Sequence, residues 1–222
     1  MKRRWIVIAA LAGCALAWTG AQAGDAADEA RLRAKLGAET ARAVMDVVRA
    51  AAADSLPTRP LFGRAFEGAS RGAARLRILA AVREQDQAQR TARAALGQAA
   101  SPTEITAGAM AILTGVAPDS LTRLRAARSG VSLVVPLVVM SDLIARNVPV
   151  NAASATVIAA ARSGLADADL LRMRERIDRE LDRGAAPPGA AASQLRLMLE
   201  ERARDRNTRG GPPPARDQRG ER

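Results

Sequence analysis

The sequence predicts an all-α fold, and three observations support that prediction. Apolar residues recur mostly at spacings of three and four, which places them on one face of a helix. In the second half of the chain, glycine or asparagine separates apolar segments every 15 to 20 residues. Proline or a capping residue follows several of these positions, as expected where one helix ends and the next begins. We therefore expect residues 24–205 to form a single all-helical domain.

The first predicted helix covers residues 27–53, because its apolar residues form one amphipathic face. That face comprises Leu32, Leu36, Val44, Val47, Val48 and Ala51. Gly37 is expected to weaken this helix only slightly. Pro57 and Pro60 end it, since the residue before a proline is driven out of the helical region.

A short helix over residues 60–70 follows, and it carries Phe62 and Phe66, the two phenylalanines of the chain. Two interpretations of these rings stay open. Large apolar rings in a protein with few aromatic residues usually fill its core. Rings four residues apart on one helix also suit contact with a partner protein. A longer helix is predicted next, over residues 73–96.

Six further helices are predicted over residues 102–113, 118–128, 133–145, 151–162, 168–182 and 189–204. The residues expected to close helices in the left-handed conformation are Gly97, Gly115, Gly130, Asn147, Gly164 and Gly184. At the start of the first of the six, Ser101 and Glu104 predict a capping box. Ser132 and Asp167 are expected to cap later helices.

Two arrangements of these helices stay open, a compact bundle and a short solenoid-like array of helical hairpins. The helix pairs repeat about every 34 residues, which is also the period of tetratricopeptide repeats. The aromatic pattern of those repeats is absent from this chain. The units resemble one another only at their turns, so an ordinary bundle is an equally good prediction.

The segment Val131–Met140 has the β-branched density of a buried strand, but Pro136 argues against a strand because proline removes a ladder donor. We predict instead the most buried helix of the domain. Its expected neighbours are Val157 and Ile158, together with Leu121 and Leu124.

The predicted helix over residues 168–182 has an apolar stripe that contains Leu170, Met173, Ile177 and Leu181. Its other faces carry charges four residues apart, which predict ion pairs within the helix. These pairs are Glu175 with Arg179, Arg176 with Glu180, and Arg174 with Asp178.

Residues 1–23 predict a secretory signal peptide, with three basic residues, an apolar run from Trp5 to Trp18 and the ending Ala21-Gln22-Ala23. The mature protein is then exported to the periplasm or the extracellular space. An alternative stays open, because Leu11-Ala12-Gly13-Cys14 has the form of a lipobox, in which Cys14 is acylated and anchors the protein in the envelope. No later segment is long and apolar enough to predict a transmembrane span.

Residues 206–222 predict a disordered tail, because they are rich in proline, glycine and arginine and nearly free of apolar residues.

The composition excludes several classes of site. The chain has no histidine and no tyrosine, and its single cysteine and both tryptophans precede residue 24. A mature chain beginning at Gly24 therefore lacks the residues of zinc sites, haem ligation, disulfides and Ser-His-Asp triads. We expect no cofactor and no metal site.

The net charge of +11 at pH 7 is carried almost entirely by arginine, since all but two of the 34 basic residues are arginines. Such a charge suits weak contact with an anionic surface. Nucleic acid is not an expected partner, because an exported chain with only two aromatic residues offers no stacking platform for bases.

The preferred function is a non-enzymatic exported helical module with a structural or protein-interaction role, and its expected partner is another envelope protein. The alternative is a hydrolase or lyase of unknown substrate that works with carboxylates, with Glu67, Glu84 and Asp86 as candidates.

Part of the sequence resembles uncharacterised secreted helical proteins of bacteria with alanine-rich and arginine-rich proteomes. The likeness covers about residues 40–190 and lies in the segments 56–61, 67–68 and 77–83 and in the Gly-Val-Ala-Pro and Asn-Val-Pro turns. The resemblance implies an all-helical domain, and it implies no activity, ligand or catalytic motif.

Overall fold

Residues 26–209 are the part of the chain that the computed structural model describes. The predicted signal peptide, Cys14 and residues 210–222 of the predicted tail lie outside the described residues. Within 26–209 the fold is all-α, with ten helices and no strand, which confirms the predicted fold class. No helix of this range is long and apolar enough to cross a bilayer.

Helix α1 includes residues 26–36. The nine that follow are α2 (Ala38–Ala53), α3 (Arg59–Ser70), α4 (Arg75–Leu96), α5 (Pro102–Leu113), α6 (Pro118–Ala127), α7 (Val134–Ala145), α8 (Val150–Arg162), α9 (Asp167–Asp182) and α10 (Pro187–Arg209). Their contacts cluster into two units that meet between Thr91 and Ala92, inside α4. The single domain expected over residues 24–205 stays a prediction.

In the first unit, Gly37 divides the helix that was expected to be continuous over residues 27–53. Its φ is 79°, in the left-handed region that glycine enters without a steric penalty. The Gly37 N–H bonds the carbonyl of Arg33, and the Gly37 carbonyl accepts from the N–H of Ala41. Gly37 therefore closes α1 and opens α2, and the expectation that it only weakens one helix was wrong.

The core of the first unit is built from the predicted apolar face and from α3 and α4. Its buried side chains include Leu32, Leu36, Val44, Val48, Leu61, Phe62, Ile78 and Val82. Gly68 on α3 lets Ile78 approach closely, because a Cβ at Gly68 would lie 2.8 Å from Ile78 Cγ1. The turn between α3 and α4 is thus fixed by direct packing of the two helices.

In the second unit, all six residues that were expected to close helices have positive φ angles. The values are 89° at Gly97, 97° at Gly115, 72° at Gly130, 63° at Asn147, 72° at Gly164 and 87° at Gly184. Four of these ends have paired backbone bonds of the Schellman type, for example Val116 N–H to Ala111 O and Gly115 N–H to Ile112 O. The predicted helix ends are confirmed at these positions.

Helices α5 to α10 form two rows. In one row α7 packs against α5 and α9, and in the other α8 packs against α6 and α10. Contacts of α7 with α8 and of α9 with α10 join the rows. Along each row a helix therefore packs against the next helix but one, while the adjacent pairs α7–α8 and α9–α10 also pack together.

Helix α7 contributes Leu137, Val139, Met140 and Leu143 to the core, and Pro136 is buried near its start. The segment is helical from Val134 onward and is not a strand, as the position of Pro136 predicted. It packs against α8, which carries the expected Val157 and Ile158. Helix α6, which carries Leu121 and Leu124, packs mainly against α8 instead.

Glu104 joins three helices of the second unit through one buried carboxylate. Oε2 accepts from the N–H of Ser101 at 2.9 Å, which completes the predicted capping box. Oε1 accepts from Arg125 Nη2 on α6 at 2.6 Å and from the N–H of Leu133, at the start of α7, at 2.9 Å. Burial opposes ionisation of Glu104, but the hydrogen bonds from Ser101, Leu133 and Arg125 outweigh it and hold its pKa below the ordinary value.

Candidate binding groove

A groove of about 560 Å³ lies between α6 and α8 on the second unit. We call it the α6–α8 groove. Its lining residues are Ser120, Arg123, Asn151, Ser154, Ala155, Ile158, Ala159, Arg162 and Ser163. The lining combines small apolar residues with hydroxyl, amide and guanidinium groups.

The base of the groove follows from the small residues on one face of α8. Asn151, Ala155 and Ala159 stand four residues apart, so they form one stripe along the helix. Short side chains keep this face low. Ser154 beside the stripe is buried and places its hydroxyl 3.6 Å from Met140 Sδ of α7. One side of α8 therefore packs on α7, while the stripe of Asn151, Ala155 and Ala159 faces the groove.

The two arginines of the groove come from different helices. Arg123 on α6 pairs with Asp119 at 3.1 Å and donates to the hydroxyl of Ser120 at 3.2 Å. Arg162 is the last residue of α8, where a cation is favoured by the negative end of the helix dipole. Its guanidinium is exposed and has no ion pair or hydrogen bond among residues 26–207.

No acidic side chain lines the α6–α8 groove, and although Arg123 is paired with Asp119 beside it, the unpaired guanidinium of Arg162 keeps the groove positive. Arginine presents several donors in a planar fork that matches a carboxylate. The hydroxyls of Ser120 and Ser163 and the amide of Asn151 add neutral hydrogen-bonding groups. The arrangement is suited to an anionic segment that also lays apolar atoms on the alanine stripe.

A second cavity, of about 450 Å³, lies between α9 and α10, and its charges largely cancel. Arg176 bonds Glu201 at 2.9 Å, and Arg172 bonds Asp169. Since these guanidinium groups already have acidic partners, this cavity offers less to an outside anion than the α6–α8 groove does.

The three carboxylates considered for catalysis occupy separate settings in the first unit. Glu67 pairs with Arg71 at 2.8 Å and with Arg64 at 3.2 Å. Glu84 is exposed, and it stands two residues from Asp86 on α4, a spacing that turns the two side chains to different faces.

Asp86 accepts from Arg90 at 2.9 Å, and the hydrogen bonds of Asp86 and then Asp54 raise the pKa of Arg90. Among the described residues, no group of three or more acidic, histidine or cysteine side chains could hold a metal ion. A hydrolase or lyase built on Glu67, Glu84 and Asp86 stays the alternative prediction.

The two phenylalanines differ in exposure. Phe62 is 4% exposed and belongs to the core of the first unit, whereas Phe66 is half-buried. Contact of these rings with a partner stays a prediction. Lipidation at Cys14 also stays a prediction, since Cys14 lies outside the described residues.

Arg123 and Arg162 are not among the site residues predicted from the sequence. They stand 39 positions apart in a chain where most basic residues are arginine, so neither is conspicuous in the sequence. Only the contact between α6 and α8 brings their positions to one groove.

No family model matches this chain, and the searches of curated proteins and of solved structures found no match. The case for a function therefore depends on the chain's own sequence and geometry.

Proposed function

We propose that this protein is an exported, non-enzymatic helical module that binds an acidic segment of another protein in the α6–α8 groove. The observation that carries the proposal is the groove itself, a cavity of about 560 Å³ with two arginines from different helices and no acidic residue in its lining. A guanidinium without an acidic partner, as at Arg162, is available for an outside carboxylate.

The packing of the second unit favours a short solenoid-like array of helical hairpins over a compact bundle. Packing of each helix on the next but one is the pattern of stacked helical pairs. Starts of successive helices in one row, Pro102, Val134 and Asp167, lie close to the expected pair period. Stacked arrays of this kind bind partners along extended surfaces, which agrees with a groove between two neighbouring helices of one row.

Binding is tested with a fluorescent peptide rich in aspartate and glutamate, compared with the same peptide carrying asparagine and glutamine. We expect the acidic peptide to bind the wild-type chain more tightly, with an affinity that falls as salt is added. The double variant Arg123→Glu/Arg162→Glu should weaken binding by about tenfold, because each exposed charge pair contributes roughly 0.2–1 kcal/mol and reversal also adds repulsion.

Arg179→Glu is the matched control, since Arg179 is an exposed arginine of α9 outside the groove. It should bind the acidic peptide as the wild type does. Equal affinity for the acidic and amide peptides, or an equal loss in the control, would contradict the proposed groove. A benzophenone at position 155 then identifies the natural partner by crosslinking, and the double variant should lose that crosslink.

Export is a separate part of the proposal and rests on residues 1–23. Mass spectrometry of the protein isolated from its cell should find a mature chain that begins at Gly24. An acylated Cys14 at the N-terminus would support the lipid-anchored alternative, and an intact Met1 would contradict both.

A further inference from the structure

The first turn of α4 presents a leucine to solvent. Leu76 is 83% exposed, more than any other large hydrophobic residue in the described part of the chain. Its neighbours Arg75 and Arg77 are both exposed. We call residues 71–77, which comprise the turn after α3 and the first residues of α4, the α3–α4 tip. The surface at this turn therefore combines an exposed aliphatic side chain with positive charge on both sides, the combination found where amphipathic segments contact a membrane.

The charge around the tip is one-sided. Residues 59–83 contain six arginines and a single acid, Glu67. Glu67 is already shared by Arg64 and Arg71 on α3. Within residues 26–207, the arginines of this stretch with no ion pair or side-chain hydrogen bond are Arg59, Arg75, Arg77 and Arg83. The stretch therefore keeps a strong positive charge after its internal pairs are formed.

A cavity of about 240 Å³ adjoins the tip. Its charged lining consists of Arg64, Arg71 and Arg77, with Glu67 as the only acid. The cavity opens to solvent beside Arg77, the residue that follows Leu76. Glu67 offsets only one of these three positive charges, so the lining remains positive. A phosphate of a lipid headgroup suits such a lining, because it is negative and has several acceptor oxygens.

We propose that the α3–α4 tip binds the surface of an anionic lipid bilayer. Arg75 and Arg77 contact headgroup phosphates, and Leu76 enters the boundary between headgroups and acyl chains. A soluble anion or an acidic peptide would use the arginines and leave Leu76 in water. The bilayer is the occupant that uses the charge and the exposed aliphatic side chain together. All the residues involved belong to the first unit, so this inference is independent of the α6–α8 groove.

The test uses the chain as cells produce it, with its N-terminus read by mass spectrometry, and vesicles of phosphatidylcholine with or without phosphatidylglycerol. Binding is measured by flotation at low and high salt. We expect binding that requires phosphatidylglycerol and decreases with salt. Arg75→Ala/Arg77→Ala should weaken it on the order of twentyfold, since each arginine near an anionic membrane contributes about fivefold. Leu76→Ala should weaken it about tenfold.

Two matched controls keep the result specific. Leu197→Ala removes another exposed leucine, on α10, and Arg179→Glu changes an exposed arginine of α9. Both should bind vesicles as the wild type does, as should the groove variant Arg123→Glu/Arg162→Glu. Because Leu76 is so exposed, Leu76→Ala keeps the fold, and its melting temperature verifies this.

Three outcomes would overturn the inference. Binding that does not depend on phosphatidylglycerol would remove the anionic requirement. Full binding by Leu76→Ala, with loss in the arginine variant, would show that the arginines attract the headgroups without insertion of Leu76, which contradicts the proposed contact. Displacement from vesicles by inorganic phosphate at low millimolar concentration would assign the cavity to free phosphate. The vesicle result does not depend on the peptide result, so each proposal fails or stands by itself.

Discussion

Replacement of Glu104 by glutamine tests the central connection of the second unit. Glu104 is 6% exposed and accepts three hydrogen bonds, from the N–H of Ser101, the N–H of Leu133 and Arg125 Nη2. In Glu104→Gln the amide oxygen still accepts hydrogen bonds from two of these donors, but the acceptor no longer carries a negative charge, so both bonds are weaker. The amide NH₂ faces the remaining donor, so that bond is lost.

The magnitude follows from these three bonds. A hydrogen bond to a charged group contributes about 1.5–3 kcal/mol and a neutral bond about 0.5–1.5 kcal/mol. Two weakened bonds and one lost bond come to about 3.5–6 kcal/mol, and the smaller cost of burying a neutral amide offsets part of this loss. The free energy of unfolding should therefore fall by about 2–4 kcal/mol at neutral pH. Urea unfolding followed by far-ultraviolet circular dichroism measures this difference.

The pH dependence supplies a second, sharper check. The pKa of Glu104 is lowered in the folded protein, so the unfolded state binds more protons as the pH falls. The stabilisation is complete above the ordinary glutamate pKa of about 4.3 and is lost as the pH falls through the lower folded-state pKa. The difference between wild type and Glu104→Gln should therefore shrink as the pH falls below the ordinary glutamate pKa.

Glu175→Gln is the control, because Glu175 is exposed on α9 and has no hydrogen bond or ion pair within the described residues. Its effect should stay within about 0.5 kcal/mol. A loss of similar size in Glu104→Gln, or a difference that does not change with pH, would refute the role given to the Glu104 carboxylate.

Two further predictions concern the first unit. Gly68→Ala should destabilise the protein by about 1–3 kcal/mol, because the new methyl group meets the buried Ile78, whereas Gly63→Ala in the same helix has open space and should stabilise it by about 0.5–1 kcal/mol. Thermal melts of the two variants measure the contrast, and equal effects would contradict the close packing of α3 on α4. Phe62→Ala should cost about 3–5 kcal/mol, while Leu76→Ala should leave the melting temperature unchanged. An unchanged melt for Phe62→Ala would exclude that ring from the core.

Helix ends were predictable where a single residue type decides the backbone conformation. Glycine and asparagine tolerate positive φ, and all six predicted closing positions have it. Ser55 also has a positive φ, of 56°, and it was missed because serine seldom adopts that conformation. Gly37 was recognised but underestimated, since the same flexibility that weakens a helix also allows it to break.

Helix starts were predicted less accurately than helix ends. Asp167 is the first residue of α9 and Ala166 is its N-cap, because the carboxylate of Asp169 accepts from the Ala166 N–H at 3.0 Å. Ser132 accepts from Val134 at 3.3 Å, one position before the N-cap of α7. One helix end was also misplaced, since α10 extends to Arg209 and the predicted end was residue 204.

Ion pairs depended on tertiary contacts that spacing along α9 does not reveal. Arg174 bonds Asp142 of α7 at 2.7 Å, and Arg176 bonds Glu201 of α10 at 2.9 Å. Of the pairs expected within α9, Arg174 with Asp178 remains as a contact of 4.0 Å. A long arginine side chain reaches a neighbouring helix as easily as the next turn of its own helix. The α6–α8 groove was not predicted because it too depends on the packing of two helices that are not adjacent in the sequence.

The alternation of packing partners in the second unit has a consequence for how this part of the chain gains and loses order. Packed helices in a row are separated by only roughly thirty residues of chain, so assembly proceeds without closing a long loop. Helix α10 is the last helix of the described residues, and its main neighbours, α8 and α9, both precede it in the chain. Amide protons should exchange soonest there and slowest in α7, which is enclosed by three helices, so opening would progress from the carboxyl-terminal edge inward.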